Sequence, residues 1–426
     1  MSSWLSKLLG QDGPKLIKKK SLPRQSSYEV ICPYCFERFS HEDALFRASA
    51  SDDVIPEMAA TPDREYSAYW NRMRDDDELE IMRPVIDPVK LAPSQKRYDG
   101  EVLVGVTDNL GNHTNTRICP YCHNALPASA GRAPSNIISV IGSTQVGKTF
   151  YILNLIKTLT ERTAASFGAS CCPLTGELAA VFNESYAGMA TSLVKATDKK
   201  YQKPLIYRFV FNNPHKPDVL LCFYDFPGEA IHDEDFLRIK ANNIRNSSGL
   251  LLLVDPLQLE GIAALLRRGG ERRYTTPDEV IVELYNLFIC EEKNGRTALP
   301  TAVILSKSDE LRPLSFAQDG RRPLIHPEST IFRNFEHSRY LDLNQIDNIN
   351  SDVKSLLAAT GGQNLLNMVS GHFVNSSFFA VSSLGYPTEN GRVVSGIQPF
   401  RVDEPFLWLL WQMGYIDATY DDAPHS

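Results

Sequence analysis

The sequence predicts an α/β fold with a mostly parallel sheet, preceded by a small β-rich module built around cysteine knuckles. Three observations carry this. From residue 134 onward, short apolar runs alternate with helical periodicities, the pattern of a parallel sheet with helices on both faces. A Gly-x-x-x-x-Gly-Lys-Thr stretch, Gly142–Thr149, lies between the first such run and the first such helix. Upstream, two Cys-x-x-Cys pairs share the five residues Ile-Cys-Pro-Tyr-Cys.

The 426 residues suffice for two or three domains. A hydrophobic content of 43% and a charged content of 22% are ordinary for a soluble globular chain. The net charge of −7 argues against nonspecific nucleic-acid binding by the whole molecule. No apolar run approaches the ~20 residues of a membrane span. The start, Met1–Gly10, is too short and interrupted for a secretory signal, so a cytoplasmic location is expected.

Residues 1–27 combine Trp4, Leu5, Leu8 and Leu9 with Lys15, Lys18, Lys19, Lys20 and Arg24. They read as a frayed, solvated terminus; contact of residues 1–20 with an anionic membrane surface is the alternative. Residues 28–130 read as a zinc ribbon. Cys32, Cys35, Cys119 and Cys122 supply two thiolates from each knuckle, and four thiolates make a closed structural Zn²⁺ site. In a cytosolic chain such pairs indicate metal rather than disulfides. Cys171, Cys172, Cys222 and Cys290 lack the spacing, and His123, beside Cys122, is expected to point away. The 83 residues between Cys35 and Cys119 far exceed the roughly 15–20 of an ordinary ribbon. Residues 44–99 are therefore an insertion, with an acidic loop at Ser51–Asp53, a helix near 66–77 and a proline-rich exit over 84–93. A short linker is expected over 124–135.

The α/β domain is placed at 134–418 and an acidic tail at 419–426. After the strand at Ile137–Ile141, further strands are expected at Leu205–Phe211, Val219–Tyr224, Gly249–Val254, Thr301–Leu305 and Phe378–Val381. Helices are expected near 149–162, 176–196, 277–291, 343–369 and 403–413, the last with a stripe of Phe406, Leu409, Leu410 and Met413.

A glycine loop between a strand and a helix cradles phosphate with backbone N–H groups, aided by the helix N-terminus. Here Gly142, Ser143, Thr144, Gln145, Val146 and Gly147 form the loop, Lys148 supplies charge for the outer phosphates, and the Thr149 hydroxyl can hold Mg²⁺. The strand Val219–Tyr224 ends in Asp225, a further Mg²⁺ ligand, and Gly228 can bring its N–H to a γ-phosphate. After Thr301–Leu305 comes Ser306-Lys307-Ser308-Asp309. A carboxylate at Asp309 accepts from guanine N1–H and the 2-amino group, donors that adenine lacks. The Lys307 stem can cover the base, and a backbone N–H in Ser382–Gly385 can meet guanine O6.

The order G-x-x-x-x-G-K-T, D-x-x-G, [NTS]-K-x-D, S-[AS]-x over residues 134–416 resembles the P-loop GTPases of the translation-factor-related (TRAFAC) class. The resemblance implies GTP and GDP as ligands with Mg²⁺, phosphate contacts from Gly142, Gly147, Lys148 and Thr149, switch II at Asp225 and Gly228, guanine selection by Lys307 and Asp309, and Ser383 behind the base. A Cys-Pro-x-Cys ribbon before an Asp-Phe-Pro-Gly-Glu switch also resembles the double-GTPase proteins of bacterial conflict (antiviral defence) systems, which implies a second GTPase-like protein or an effector as partner. There are three departures from the family pattern. Ser306 replaces the usual Asn or Thr, shortening the brace to the phosphate loop. Glu229 stands where many relatives carry Gln, so Glu229 and His232 compete to position water. The switch I threonine has no motif; Thr197 is the first choice, with Thr175 and Thr191 as competitors. The expected function is a slow, partner-activated GTPase switch. The alternatives are an ATPase on the same scaffold, or a nucleotide-bound, non-hydrolysing scaffold acting through its ribbon.

Overall fold

A computed structural model of the chain describes residues 15–19, 25–49, 60–74, 77–143, 145–191, 205–213, 216–225, 241–266, 276–316, 322–387, 393 and 396–420. Seven strands form the central sheet: β1 (Ser135–Gly142), β2 (Ala169–Pro173), β3 (Leu205–Phe211), β4 (Val219–Asp225), β5 (Ser247–Val254), β6 (Thr301–Leu305) and β7 (Ser376–Ala380). Their spatial order is β2-β3-β4-β1-β5-β6-β7. The pairs from β4 through β1, β5 and β6 to β7 are parallel, while β2 and β3 join antiparallel. Parallel strands covered on both faces must be apolar throughout, and every residue of β6 is buried. In the parallel register Val140 of β1 lies beside Asp225 of β4, and Gly142 beside Leu253 of β5. The carboxyl ends of all three therefore open on one edge, where ligands of such sheets bind.

The main helices are α1 (Lys148–Thr158), α2 (Gly176–Thr191), α3 (Pro277–Leu287), α4 (Leu343–Ala359), α5 (Gln363–His372) and α6 (Glu404–Gln412). The helix expected over 343–369 is two, because Thr360-Gly361-Gly362 intervenes with Gly361 at φ 80°, a backbone state glycine adopts without cost. Strand β2 was not foreseen from the sequence. Its Ala-Ser-Cys-Cys-Pro lacks an apolar run because it is an edge strand whose Ser170 and Cys172 face outward. The terminal segment 1–27, expected to be frayed, is tied down in part. Lys15–Ile17 pairs antiparallel with Ala418–Tyr420, the start of the supposed acidic tail, and that strand pairs in turn with Leu341–Asp342.

The cysteine module consists of short antiparallel pairs, Val30–Ile31 with Arg38–Phe39 and Leu45–Arg47 with Arg117–Ile118. The helix of the insertion, Arg64–Arg74, folds back over the knuckles. Its Tyr69 and Trp70 are buried with Cys32, Cys119 and Cys122. The Trp70 indole N–H donates to Asn124 Oδ1 (3.1 Å), and the Tyr69 hydroxyl to Tyr34 O (3.1 Å). The same buried cluster includes Leu178 of α2, Ile137 of β1, Ile206 of β3 and Cys222 of β4, so the module shares its core with the sheet. The stretch expected to be a linker is packed as well: Leu126, Ala130 and Ala133 are buried, and Arg117 donates to Ala128 O at 2.7 Å. No helix among the described residues is long and apolar enough to cross a membrane.

Trp70→Phe would leave Asn124 Oδ1 without its indole donor in a dry core. The expected loss is about 1–3 kcal/mol of stability, read as a lower midpoint in thermal unfolding; an unchanged midpoint would contradict the assigned contact.

Candidate functional site

Gly142 ends β1 where the chain turns tightly against β5. A Cβ there would lie 2.6 Å from Leu253 O and 2.9 Å from Val146 Cγ1. Gly147, at φ 92°, caps the N-terminus of α1. The loop between them directs its carbonyls inward, and each described carbonyl finds a side-chain donor. The Lys148 ammonium donates to Gly142 O and Ser143 O, both at 3.0 Å. Lys307 Nζ donates to Gln145 O (3.0 Å), and the buried Ser306 hydroxyl to Val146 O (2.9 Å). In a trans peptide the N–H points opposite to the preceding carbonyl. The amides of Ser143, Val146 and Gly147 therefore face away from these donors, the arrangement that receives an anion.

Ser306 was expected to brace the loop less well than Asn would. Its hydroxyl makes the brace directly, because the strand end holds it within reach of both Val146 O and Val254 O. Lys307 adopts φ 50° and also pairs with Asp255, which is 4% exposed and accepts from Leu257 N at 2.9 Å. Asp255 was missed in the sequence, although it directly follows the apolar strand β5 much as Asp225 closes β4.

Asp309 lies in the first turn of the short helix Ser308–Ser315 and is buried. Burial pushes its carboxyl above the usual carboxylate range, partly offset by the Ser382 hydroxyl that donates to it. Ser382 in turn accepts from Gly385 N at 2.7 Å. Asp309, Ser308, Arg312, Phe332, Ser382 and Tyr386 line a cavity of about 110 Å³. Ser383 is half-buried and lies next to this lining, whereas Ser382 forms part of it. Thr149 sits in the first turn of α1, and the β4 backbone brings Asp225 to the same sheet edge. Both residues carry oxygen donors of the kind that Mg²⁺ takes. The side chain of Asp225 and residues Thr144, Thr197, Gly228, Glu229 and His232 lie outside what is described.

The four ribbon cysteines converge, their sulfurs within 4.8 Å of one another. Cys32–Cys122 and Cys35–Cys119 are both 3.7 Å apart. A tetrahedron with Zn–S of ~2.3 Å has edges of ~3.8 Å, so the donors fit zinc. The two knuckles superimpose in their bonding. Tyr34 N and Tyr121 N donate to Cys32 and Cys119 sulfurs at 3.4 Å, and Phe36 and His123 both take positive φ. Burial raises the Cys32 thiol, whereas the surrounding thiols hold Cys122 down despite its burial. His123 points away from the sulfurs, as expected: its Nδ1 meets Asp63 Oδ1 at 2.9 Å, and Asp63 also pairs with Arg47 at 2.6 Å.

No protein-family model matches the chain. A Mycolicibacterium smegmatis protein named "Putative ESX-1 scaffolding and assembly protein SaeC" is 26% identical over 315 residues, 70% of this chain and 80% of that protein. Among solved structures, the Trypanosoma brucei Arl6 BBS3 small GTPase with bound GppNp is similar at 13% identity and TM-score 0.28, over 66% of this chain and 98% of that one. The S. cerevisiae Ski7 GTPase-like domain bound to GDP and phosphate is similar at 15% identity and TM-score 0.34, over 67% and 51%. The bacterial selenocysteine-specific elongation factor EF-Sec is similar at 15% identity and TM-score 0.25, over 58% and 25%. These likenesses are distant, and the functional assignment rests on the chain's own residues.

Ser306→Ala would leave Val146 O without its donor. Nucleotide affinity is expected to fall about 3–10-fold, the worth of one hydrogen bond, in a titration with a fluorescent guanine nucleotide. Chelator-washed protein should retain close to one equivalent of zinc by elemental analysis and lose it in Cys119→Ser.

Proposed function

We propose that the chain is a Mg²⁺-dependent guanine-nucleotide switch that hydrolyses GTP slowly and works through a protein partner. The observation that carries this reading is the direct brace from Ser306 and Lys307 to the carbonyls of Val146 and Gln145, with Asp309 buried beyond it. It couples a loop suited to phosphate to a carboxylate suited to guanine. In this reading the outward amides and Lys148 hold the β- and γ-phosphates, and Thr149 and Asp225 hold magnesium, which would neutralise phosphate charge. Lys148 holds its ammonium against Gly142 O and Ser143 O, so the charge is pre-positioned at the loop. Asp255 fixes the Lys307 stem where the base plane would lie. From the sequence, Gly228 meets the γ-phosphate, Thr197 closes switch I, and Glu229 or His232 orients water.

The relative named for scaffolding and assembly supports a role exercised through protein partners. The resemblance to double-GTPase conflict proteins puts a second GTPase-like protein or an effector in that place, with zinc in the ribbon that recruits it. The SaeC name also favours a second reading, a nucleotide-bound scaffold that does not hydrolyse. Single-turnover hydrolysis separates the two: GTP that stays intact with every candidate partner selects the scaffold.

GTP should bind in preference to ATP, and Asp309→Asn should abolish that preference; tighter ATP binding by the unaltered chain would reject the guanine reading. Stability should respond in the opposite sense. With its folded pKa raised, Asp309 favours folding fully below the ordinary carboxylate pKa, and this contribution is lost as pH rises through the raised value. At neutral pH Asp309→Asn should therefore be at least as stable as the parent. In the unaltered chain, guanine preference should weaken on acidification while the pH is still above the ordinary carboxylate range. Lys148→Ala should weaken GTP about 10–100-fold, the worth of a charge-assisted hydrogen bond.

A further inference from the structure

Helical residues 241–245 follow the Asp225–Gly228 segment by little more than a dozen positions and lead directly into β5. This short helix is held from two sides. On the sheet side, Asn243 is fully buried. The Ser139 hydroxyl of β1 donates to its side-chain carbonyl, and the Ser247 hydroxyl donates to its main-chain carbonyl at 2.7 Å. Ser139 lies three residues before Gly142 on the strand that delivers the phosphate loop. On the other side, the partners belong to the first cysteine knuckle. Asn242 Nδ2 donates to Glu37 Oε1 (3.0 Å), Asn246 Nδ2 donates to Phe36 O (2.9 Å), and Arg38 Nε donates to Asn246 Oδ1 (3.4 Å). Phe36 directly follows the ligand candidate Cys35, and its amide bonds Cys32 O, closing the knuckle turn at 3.0 Å.

We propose that Asn242 and Asn246 are positioning residues that couple the nucleotide site to the thiolate cluster, so that the bound nucleotide sets how tightly the ribbon holds zinc. The inference rests on the guanine-nucleotide reading above. A guanine-nucleotide switch changes the chain just after its Asp-x-x-Gly motif, and here that chain runs into a helix whose polar side chains grip the turn that carries Cys32 and Cys35. Any shift of the helix must break or drag three hydrogen bonds to the knuckle. The shared core of Cys32, Cys119, Ile137 and Cys222 keeps the module from following the motion freely. By linkage the coupling runs both ways: zinc must alter the relative affinity for GTP and GDP by the factor with which nucleotide alters zinc affinity.

The test uses the full chain loaded with zinc. Zinc release to a chromophoric chelator is timed with GDP bound and with a non-hydrolysable GTP analogue bound, occupancy being verified with a fluorescent nucleotide. The two rates should differ about fivefold or more in the unaltered chain. They should converge in Asn242→Ala/Asn246→Ala, with nucleotide still bound. Glu37→Ala, altered on the knuckle side, should reduce the difference, and Glu37→Gln, which keeps an acceptor for Asn242, should preserve it. A merely structural role would speed release equally in both nucleotide states and leave their ratio untouched. Equal rates in the unaltered chain with nucleotide bound, or an undiminished ratio in the double variant, would overturn the proposal. Failure to bind any guanine nucleotide would overturn the reading beneath it as well, and is distinguished by the occupancy measurement.

Discussion

A loop that turns its amides outward must find donors for the carbonyls it turns in. That constraint organises the carboxyl edge of the sheet. Gly142 O and Ser143 O take Lys148, Gln145 O takes Lys307, and Val146 O takes Ser306. Unsatisfied, a buried carbonyl costs about 1–3 kcal/mol, comparable to a sizeable share of the stability of a domain. The residues that would read the base thus also hold the loop that would hold the phosphates. Shortening Ser306 or removing Lys307 would loosen the loop before any ligand arrived. Asp255 belongs to the same arrangement, since its buried carboxylate is compensated by Lys307 and by Leu257 N, and an isolated charge at that depth would be untenable.

The second constraint is the shared core beneath the knuckles. In a small module four thiolates and a metal can replace the apolar interior that the module cannot build for itself. Here the cysteines also have an apolar surround. Trp70 and Tyr69 from the insertion and Ile137, Ile206 and Cys222 from the sheet share one buried cluster with the cysteines. The insertion is therefore part of the ribbon's packing, which accounts for its place between the two Cys-x-x-Cys pairs. A long insertion in a surface loop costs little entropy, and this one returns apolar burial.

The sheet's long apolar strands, the glycine turn between β1 and α1 and the cysteine convergence were legible in the sequence because each rests on a local pattern: a strand, a turn and a helix in succession, or two matching knuckles. What escaped reading was long-range. Asp255 resembles an ordinary cap before Pro256, and its partner Lys307 lies far along the chain. Strand β2 lacks an apolar run because it sits at an edge. The break between α4 and α5 was written as Gly361-Gly362, yet the flanking periodicity carried the expectation across it. The pairing of Lys15–Ile17 with Ala418–Tyr420 joins the two ends of the described chain, and no local signal announces such a pairing. His123 was read correctly by adjacency alone; its partners Asp63 and Arg47 come from the insertion and could not be named in advance.

In the proposed reading, recognition and stability oppose each other at Asp309. Burial disfavours its charge, and Ser382 supplies only partial compensation. In that reading, a buried carboxylate whose charge is disfavoured gains from a ligand that brings two N–H groups. The same residue in a fully satisfied network would be more stable and less selective, since a ligand would have to displace existing donors for no net gain. The cavity beside it is bounded by Phe332 and Tyr386. If the Asp309 carboxyl reads a base, as proposed, the bonds from Ser306 and Lys307 to the loop carbonyls tie that recognition to the phosphate site.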